Sequence, residues 1–138
     1  MTISTPKTQG NSGKIHYGER TIERAERALF CSPFLLLLLA TMRVQSVALG
    51  AIAGQRGVQQ GYTRSPVLER RAESQLDWLI KVGVLRREVD GQGITDSFRL
   101  TPLGRQIVDH WQKQGEFPPP TLRQRVLNAI ARWLSGSF

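Results

Sequence analysis

Apolar residues recur at helical spacing through most of the chain and alternate at strand spacing only around residues 84–100, which predicts a mainly α protein with a small β-hairpin. The segment that organises the rest is 65–100. At about 100° per residue, Leu68, Ala72, Leu76, Leu79 and Ile80 share one stripe, while Arg70, Glu73, Ser74, Asp77 and Lys81 lie opposite. One face of this helix is therefore core, and the other is free for a partner. Ser65 and Pro66 suit a helix start, as N-cap and first helical residue, and Gly83 suits a left-handed end. Val84 and Val89 then bracket a strand, Asp90-Gly91-Gln92-Gly93 supplies turn residues that tolerate positive φ, and 94–100 returns. Pairing Val89 with Ile94 sets Leu85 against Phe98 and Arg87 against Asp96 on one face, with Arg86 and Arg99 on the other.

Upstream, residues 1–18 are rich in Thr, Ser, Gly and Lys and carry no apolar period, which predicts a flexible basic arm. Residues 19–30 place Ile22, Ala25 and Leu29 on one side of a helix. Ser32 and Pro33 repeat the Ser-Pro start and launch a helix over 34–42, whose run of five leucines after Phe34 is too apolar for a surface and predicts the central core helix. A third helix is expected over 46–55, with Val47, Leu49, Ile52 and Ala53 inward and Gly54 and Gly57 ending it. Residues 57–63 are expected to form an exposed connection.

Downstream, Thr101 and Pro102 cap a helix that bears Ile107, Val108 and Trp111 and ends near Gln114. Residues 115–120, with three successive prolines, read as a semi-rigid spacer that separates the last helix from the domain. In 121–138, Leu122, Val126, Leu127, Ile130, Trp133 and Leu134 lie on one side of an amphipathic helix capped by Gly136. The expected organisation is an arm (1–18), one domain (19–114), a spacer (115–120) and a C-terminal amphipathic helix (121–138).

Charge then narrows the partners. Nineteen Lys plus Arg against eleven Asp plus Glu leave a formal net charge of +8, and the only lysines are Lys7, Lys14, Lys81 and Lys113. An arginine-rich excess of this size points to polyanions, nucleic acid ahead of anionic membrane. At 138 residues and 40% hydrophobic content the chain supports one modest core. Cys31 is the only cysteine and cannot close an internal disulfide, so a cytoplasmic location is expected. The apolar run at 34–40 is far shorter than the roughly 18–20 residues of a spanning helix, so no membrane span is expected. His16, His110 and Cys31 have no metal-ligand spacing, and neither a phosphate-binding glycine loop nor a nucleophile elbow is present. No metal, cofactor or catalytic activity is expected.

The order helix, helix, capped helix, LDWLIKVGVLRREV (76–89), hairpin, FRLTPLGRQIVDHW (98–111) resembles winged helix-turn-helix bacterial transcriptional regulators of the MarR and PadR kind, over roughly residues 33–112. In that pattern a wing ends in Tyr/Phe-x-Leu-Thr-x-x-Gly, and Phe98, Leu100, Thr101 and Gly104 match it. Residues 18–39 are also, more faintly, similar to small cyanobacterial regulators of heterocyst differentiation. The first resemblance implies a winged helix-turn-helix and a sequence-specific regulator of transcription that binds double-stranded DNA, with the helix at 65–82 in the major groove and the hairpin at 85–100 along the backbone. Arg70, Arg71, Ser74 and Gln75 are then the candidates to read base edges or flank them, and Arg64, Arg86, Arg87 and Arg99 to hold phosphates.

Two features depart from the pattern. Glu69, Glu73 and Asp77 form an acidic strip that repels phosphate if it faces the backbone, and the connection before the helix is long and contains glycine. A second functional class stays open, a winged-helix module that binds protein, for example transcription machinery, through that strip and the C-terminal helix. A regulator with one winged helix gains site length by pairing two copies, so a homodimer is expected. Leu122, Val126, Ile130, Trp133 and Leu134 form its expected interface, with Trp133 as anchor. Folding back over its own core and attachment to an acidic membrane surface are the competing fates of that helix.

Overall fold

A computed structural model describes residues 16–136, so the arm expected at 1–18 lies outside the described residues except for 16–18. The elements are α1 (Glu19–Cys31), α2 (Leu36–Val44), β1 (Val47–Ala48), α3 (Leu49–Ile52), α4 (Gly54–Gln59), α5 (Glu69–Lys81), β2 (Leu85–Asp90), β3 (Gly93–Leu100), α6 (Pro102–Gln114) and α7 (Leu122–Ser135). The fold is mainly helical with a small antiparallel sheet ordered β1-β3-β2. A continuous core joins Ala25 and Leu29 of α1, Leu38, Leu39 and Met42 of α2, Leu76, Trp78 and Leu79 of α5, Phe98 and Leu100 of β3, and Ile107 and Val108 of α6. Each fully buried side chain of this size contributes about 1.5–3 kcal/mol relative to exposure, which is why apolar stripes decide where these helices lie.

The hairpin is larger than its sequence suggests because β1 adds a third strand. The helix expected over 46–55 does not form as one piece. Val47 and Ala48 are extended and pair with Phe98 and Ser97 on the otherwise open edge of β3. The remainder is split at Ala53, which is extended (ψ 153), and Gly54, whose φ of +67 ends α3 and starts α4 on a new axis.

Neither Ser-Pro pair begins a helix. Ser65, Pro66 and Val67 stay outside any helix, with the Val67 carbonyl accepting from Gly54 N–H at 2.8 Å, and α5 begins at Glu69 behind Leu68. The Ser32 hydroxyl instead donates to the Leu29 carbonyl at 2.7 Å and closes α1. Phe34 then bridges to Thr63, Leu35 N–H donates to Tyr62 at 2.8 Å, and α2 begins only at Leu36. Tertiary hydrogen bonding of these segments outweighs the local preference of Pro for a first helical turn. Leu37 is 52% exposed, so α2 is the core helix on most of its circumference, not all.

Val89 pairs with Ile94 as expected, but Leu85 pairs with Leu100 and Arg87 with Phe98, because the register shifts between Arg87 and Val89. Arg87 therefore does not meet Asp96. A shift of two keeps side-chain parity, so Arg86 and Arg99 still share a face, as cross-strand neighbours. After β3, the Thr101 hydroxyl accepts from Gly104 N–H at 3.0 Å and donates to the Gly83 carbonyl, tying the start of α6 to the end of α5. A Cβ on Gly104 would overlap the Val84 carbonyl oxygen, which gives the Thr-x-x-Gly spacing a physical reason.

The spacer does not hold α7 away from the domain. Phe117 packs beside Phe30 (6.0 Å between rings), which is edge-on to Trp111 (5.2 Å), and brings the chain back. α7 starts with a capping box between Thr121 and Gln124 and lies along α1. Among the described residues no helix is long and apolar enough to cross a membrane.

Candidate functional site

The outward stripe of α5 forms one wall of an open cleft of about 610 Å³. Arg70, Glu73, Ser74, Asp77 and Lys81 come from α5, Arg86 and Arg87 from β2, and Gly136 from the end of α7. The stripe exists because Ala72, Leu76 and Leu79 turn the opposite side of the helix inward. Four cationic and two acidic side chains meet here, so the cleft is net positive.

Its acidic content is partly neutralised by the hairpin. Asp77 Oδ1 accepts from Arg87 Nη2 at 2.9 Å, and the Arg87 guanidinium lies 4.9 Å from the centre of the Phe98 ring. Arg87 Nη1 reaches the Thr95 carbonyl at 3.5 Å. Arg87 thus links the hairpin to α5. On the other face of the hairpin, Glu88 accepts from Arg86 at 3.1 Å and from Arg99 at 3.5 Å, and Arg99 also donates to the Val44 carbonyl at 3.3 Å. Glu69 and Glu73 remain exposed on α5.

The flank of α5 toward α7 is occupied. Trp78 Nε1 donates to Asn128 Oδ1 at 2.9 Å in a buried hydrogen bond, and Arg132 Nη2 donates to Ser74 Oγ at 3.0 Å. Burial, and then the positive charge of Arg71, hold the Arg132 guanidinium below its ordinary pKa.

Of the residues assigned to base readout or its flank, Arg70 and Ser74 line the cleft, while Arg71 is exposed and Gln75 half-buried on α5 beside it. Of those assigned to phosphate, Arg86 and Arg87 line the cleft and Arg99 neighbours Arg86. Arg64 is elsewhere. It borders a second groove of about 800 Å³ between the α1–α2 corner, the 115–120 segment and Arg125. Cys31 lies in that groove, where burial raises its thiol pKa against the lowering effect of Arg125 and Arg27.

Lys81, Asp77 as a partner of Arg87, and the α7 contacts through Asn128 and Arg132 were not singled out as site residues by sequence. A polar residue between Leu127 and Ala129 was the available signal for Asn128. On α7, Leu122 (77% exposed), Val126, Ile130, Trp133 (65%) and Leu134 all face solvent, because Leu127, Asn128 and Ala131 form the inward side. Among the described residues no group of His, Cys, Asp or Glu side chains is placed to hold a metal ion.

A family model described as Npun_F0494-like matches residues 15–132. No curated protein and no solved structure matches the chain.

Proposed function

The chain belongs to the Npun_F0494-like family, and we propose that it acts as a winged-helix regulator that binds double-stranded DNA. The observation that carries this reading is the convergence of Arg70, Lys81 and Arg86 where α5 meets β2, on a chain of net charge +8. The chain order α2, β1, α3–α4, α5, β2, β3 and the sheet order β1-β3-β2 support a winged helix, with α5 as the helix that enters the groove. This agrees with the resemblance to regulators of the MarR and PadR kind. The brace between Asp77 and Arg87 removes part of the phosphate repulsion expected from the acidic strip. In this reading Arg70 reads a base edge, Arg86 and Arg99 hold backbone phosphates, and Arg87 positions the wing.

The test is fluorescence anisotropy on a labelled duplex across a salt series. Affinity is expected to fall steeply between about 50 and 200 mM salt, as counterions released from phosphates return. Arg86→Ala is expected to weaken binding to all sequences alike and to lower the salt slope by about one. Arg70→Ala is expected to relax preference at one base position, with roughly 1–3 kcal/mol of discrimination lost. Binding that is absent at low salt, or indifferent to salt, refutes the reading.

A second reading rests on a separate observation. The solvent-facing apolar stripe of α7 favours a winged-helix module that binds protein, and salt-indifferent capture of a protein partner with no DNA affinity supports it instead.

A further inference from the structure

We infer that Leu68, the residue just before α5, contacts the C5-methyl group of a thymine in the major groove and so sets a base preference. The inference rests on the reading of α5 as the helix that enters that groove.

Nothing within the chain offsets the cost of a leucine at this position. Helical spacing would turn Leu68 inward beside Ala72 and Leu76, yet it is 79% exposed, the most exposed large apolar side chain among the described residues. It is also the N-cap of α5, with φ −56 and ψ 143, and its side chain makes no capping hydrogen bond. Asn, Asp, Ser and Thr are favoured there because their oxygens satisfy a first-turn N–H, and leucine is among the poorest choices. Leu35 holds the same position before α2, but it is half-buried and its N–H donates to the Tyr62 carbonyl at 2.8 Å. At Leu68 the missing cap and the exposed side chain fall on one residue. Local rules broken without a compensating gain inside the fold collect at functional sites, where a partner supplies that gain.

Place and charge choose the partner. From Arg64 to Arg71 only Val67 is buried, and the run carries Arg64, Arg70 and Arg71 against Glu69. A cationic helix start attracts a polyanion, and the N-terminal residues of a groove-bound helix are the ones that reach base edges. Phosphate offers nothing to an isobutyl group, and neither do the donors and acceptors of guanine, cytosine and adenine. The thymine C5-methyl is the apolar group that the major groove presents, and apolar side chains read it by contact.

The test starts from a duplex that the full chain selects out of a randomised library. Each thymine is then replaced in turn by deoxyuridine, which lacks only the methyl group. One replacement is expected to weaken binding about fourfold, the effect of uncovering one methyl-sized group. In Leu68→Ala that penalty is expected to vanish, as a direct contact requires in a double-substitution cycle. Leu68→Asn supplies the missing cap, so its thermal melt is expected to shift upward while the preference for thymine is lost, a combination that a structural role for Leu68 would not produce. Failure to select any duplex removes the DNA reading and this inference with it. A selected site at which no deoxyuridine replacement matters, a penalty that persists in Leu68→Ala, or a Leu68→Asn melt below that of wild type overturns the assignment of Leu68 alone and leaves DNA binding standing.

Discussion

Replacing Asn128 with alanine is the sharpest test of how α7 is held. Trp78 is 2% exposed and Asn128 8% exposed, and the indole N–H donates to the amide oxygen at 2.9 Å. With Asn128→Ala the N–H stays buried and loses its acceptor, a penalty of about 1–3 kcal/mol that exceeds the value of an average exposed hydrogen bond. A loss near 2 kcal/mol is a large part of the 5–15 kcal/mol expected of a whole domain, roughly. For a chain of this size it corresponds to a melting temperature lower by about 6–10 °C. Circular dichroism melts and urea titrations at one fixed protein concentration read it, since association would shift both. Asn128→Leu separates the two contributions: it refills the space yet leaves the N–H orphaned, so it is expected to stay destabilised. Adding Trp78→Phe to Asn128→Leu removes the orphan, and the pair is expected to show a coupling of about 1 kcal/mol or more. A melting temperature for Asn128→Ala within 1 °C of wild type, roughly, would show that this bond does not anchor the helix and would sink the argument.

Gly104→Ala forces a Cβ onto the Val84 carbonyl oxygen, and overpacking of this kind costs about 1–3 kcal/mol in urea titration; an unchanged midpoint contradicts the close approach. Arg87→Met keeps an apolar stem near Phe98 but removes the bond to Asp77, so hydrogen exchange in β2 and β3 is expected to quicken while global stability falls by no more than about 1 kcal/mol. Unaltered exchange would show that the brace does not position the hairpin. The side-chain hydrogen bond from Arg43 (2.7 Å) holds the Asp109 carboxyl below its ordinary pKa. A depressed folded-state pKa means that the pair stabilises above the unfolded value of about 4 and loses that contribution as pH falls through the lower folded value. Both side chains are nearly half exposed, so the difference between wild type and Asp109→Asn is expected to stay below about 1 kcal/mol at neutral pH and to shrink on acidification. A difference that grows in acid overturns that assignment.

Much of this fold is legible in the chain itself. The stripes of α1 and α6 name their buried sides, as do Ala72, Leu76 and Leu79 on α5, although Leu68 is 79% exposed and the buried Trp78 lay outside the expected stripe; Thr101 and Thr121 mark two helix starts, and Gly83, Gly115 and Gly136 take the left-handed conformation beyond helix ends. The outward stripe of α5 was equally legible, because solvent-facing residues at helical spacing need no knowledge of the rest of the molecule. What sequence could not supply is the identity of the surface that covers each stripe. Val47 and Ala48 read as helix until the free edge of β3 is present to pair with them, and then hydrogen bonding to that strand decides the matter. The Ser-Pro pairs read as helix starts until Gly54 and Tyr62 claim the neighbouring backbone. Arg87 reads as a phosphate candidate, and only the tertiary structure brings Asp77, ten residues earlier, to 2.9 Å from its guanidinium. Helix α7 is the clearest case. Its sequence announces one apolar face, for which a second copy, the chain's own core and a membrane surface compete. The tertiary structure docks the helix on its own domain through the opposite side, where Asn128 meets Trp78, because a buried indole N–H must find an acceptor while an apolar stripe can remain in water.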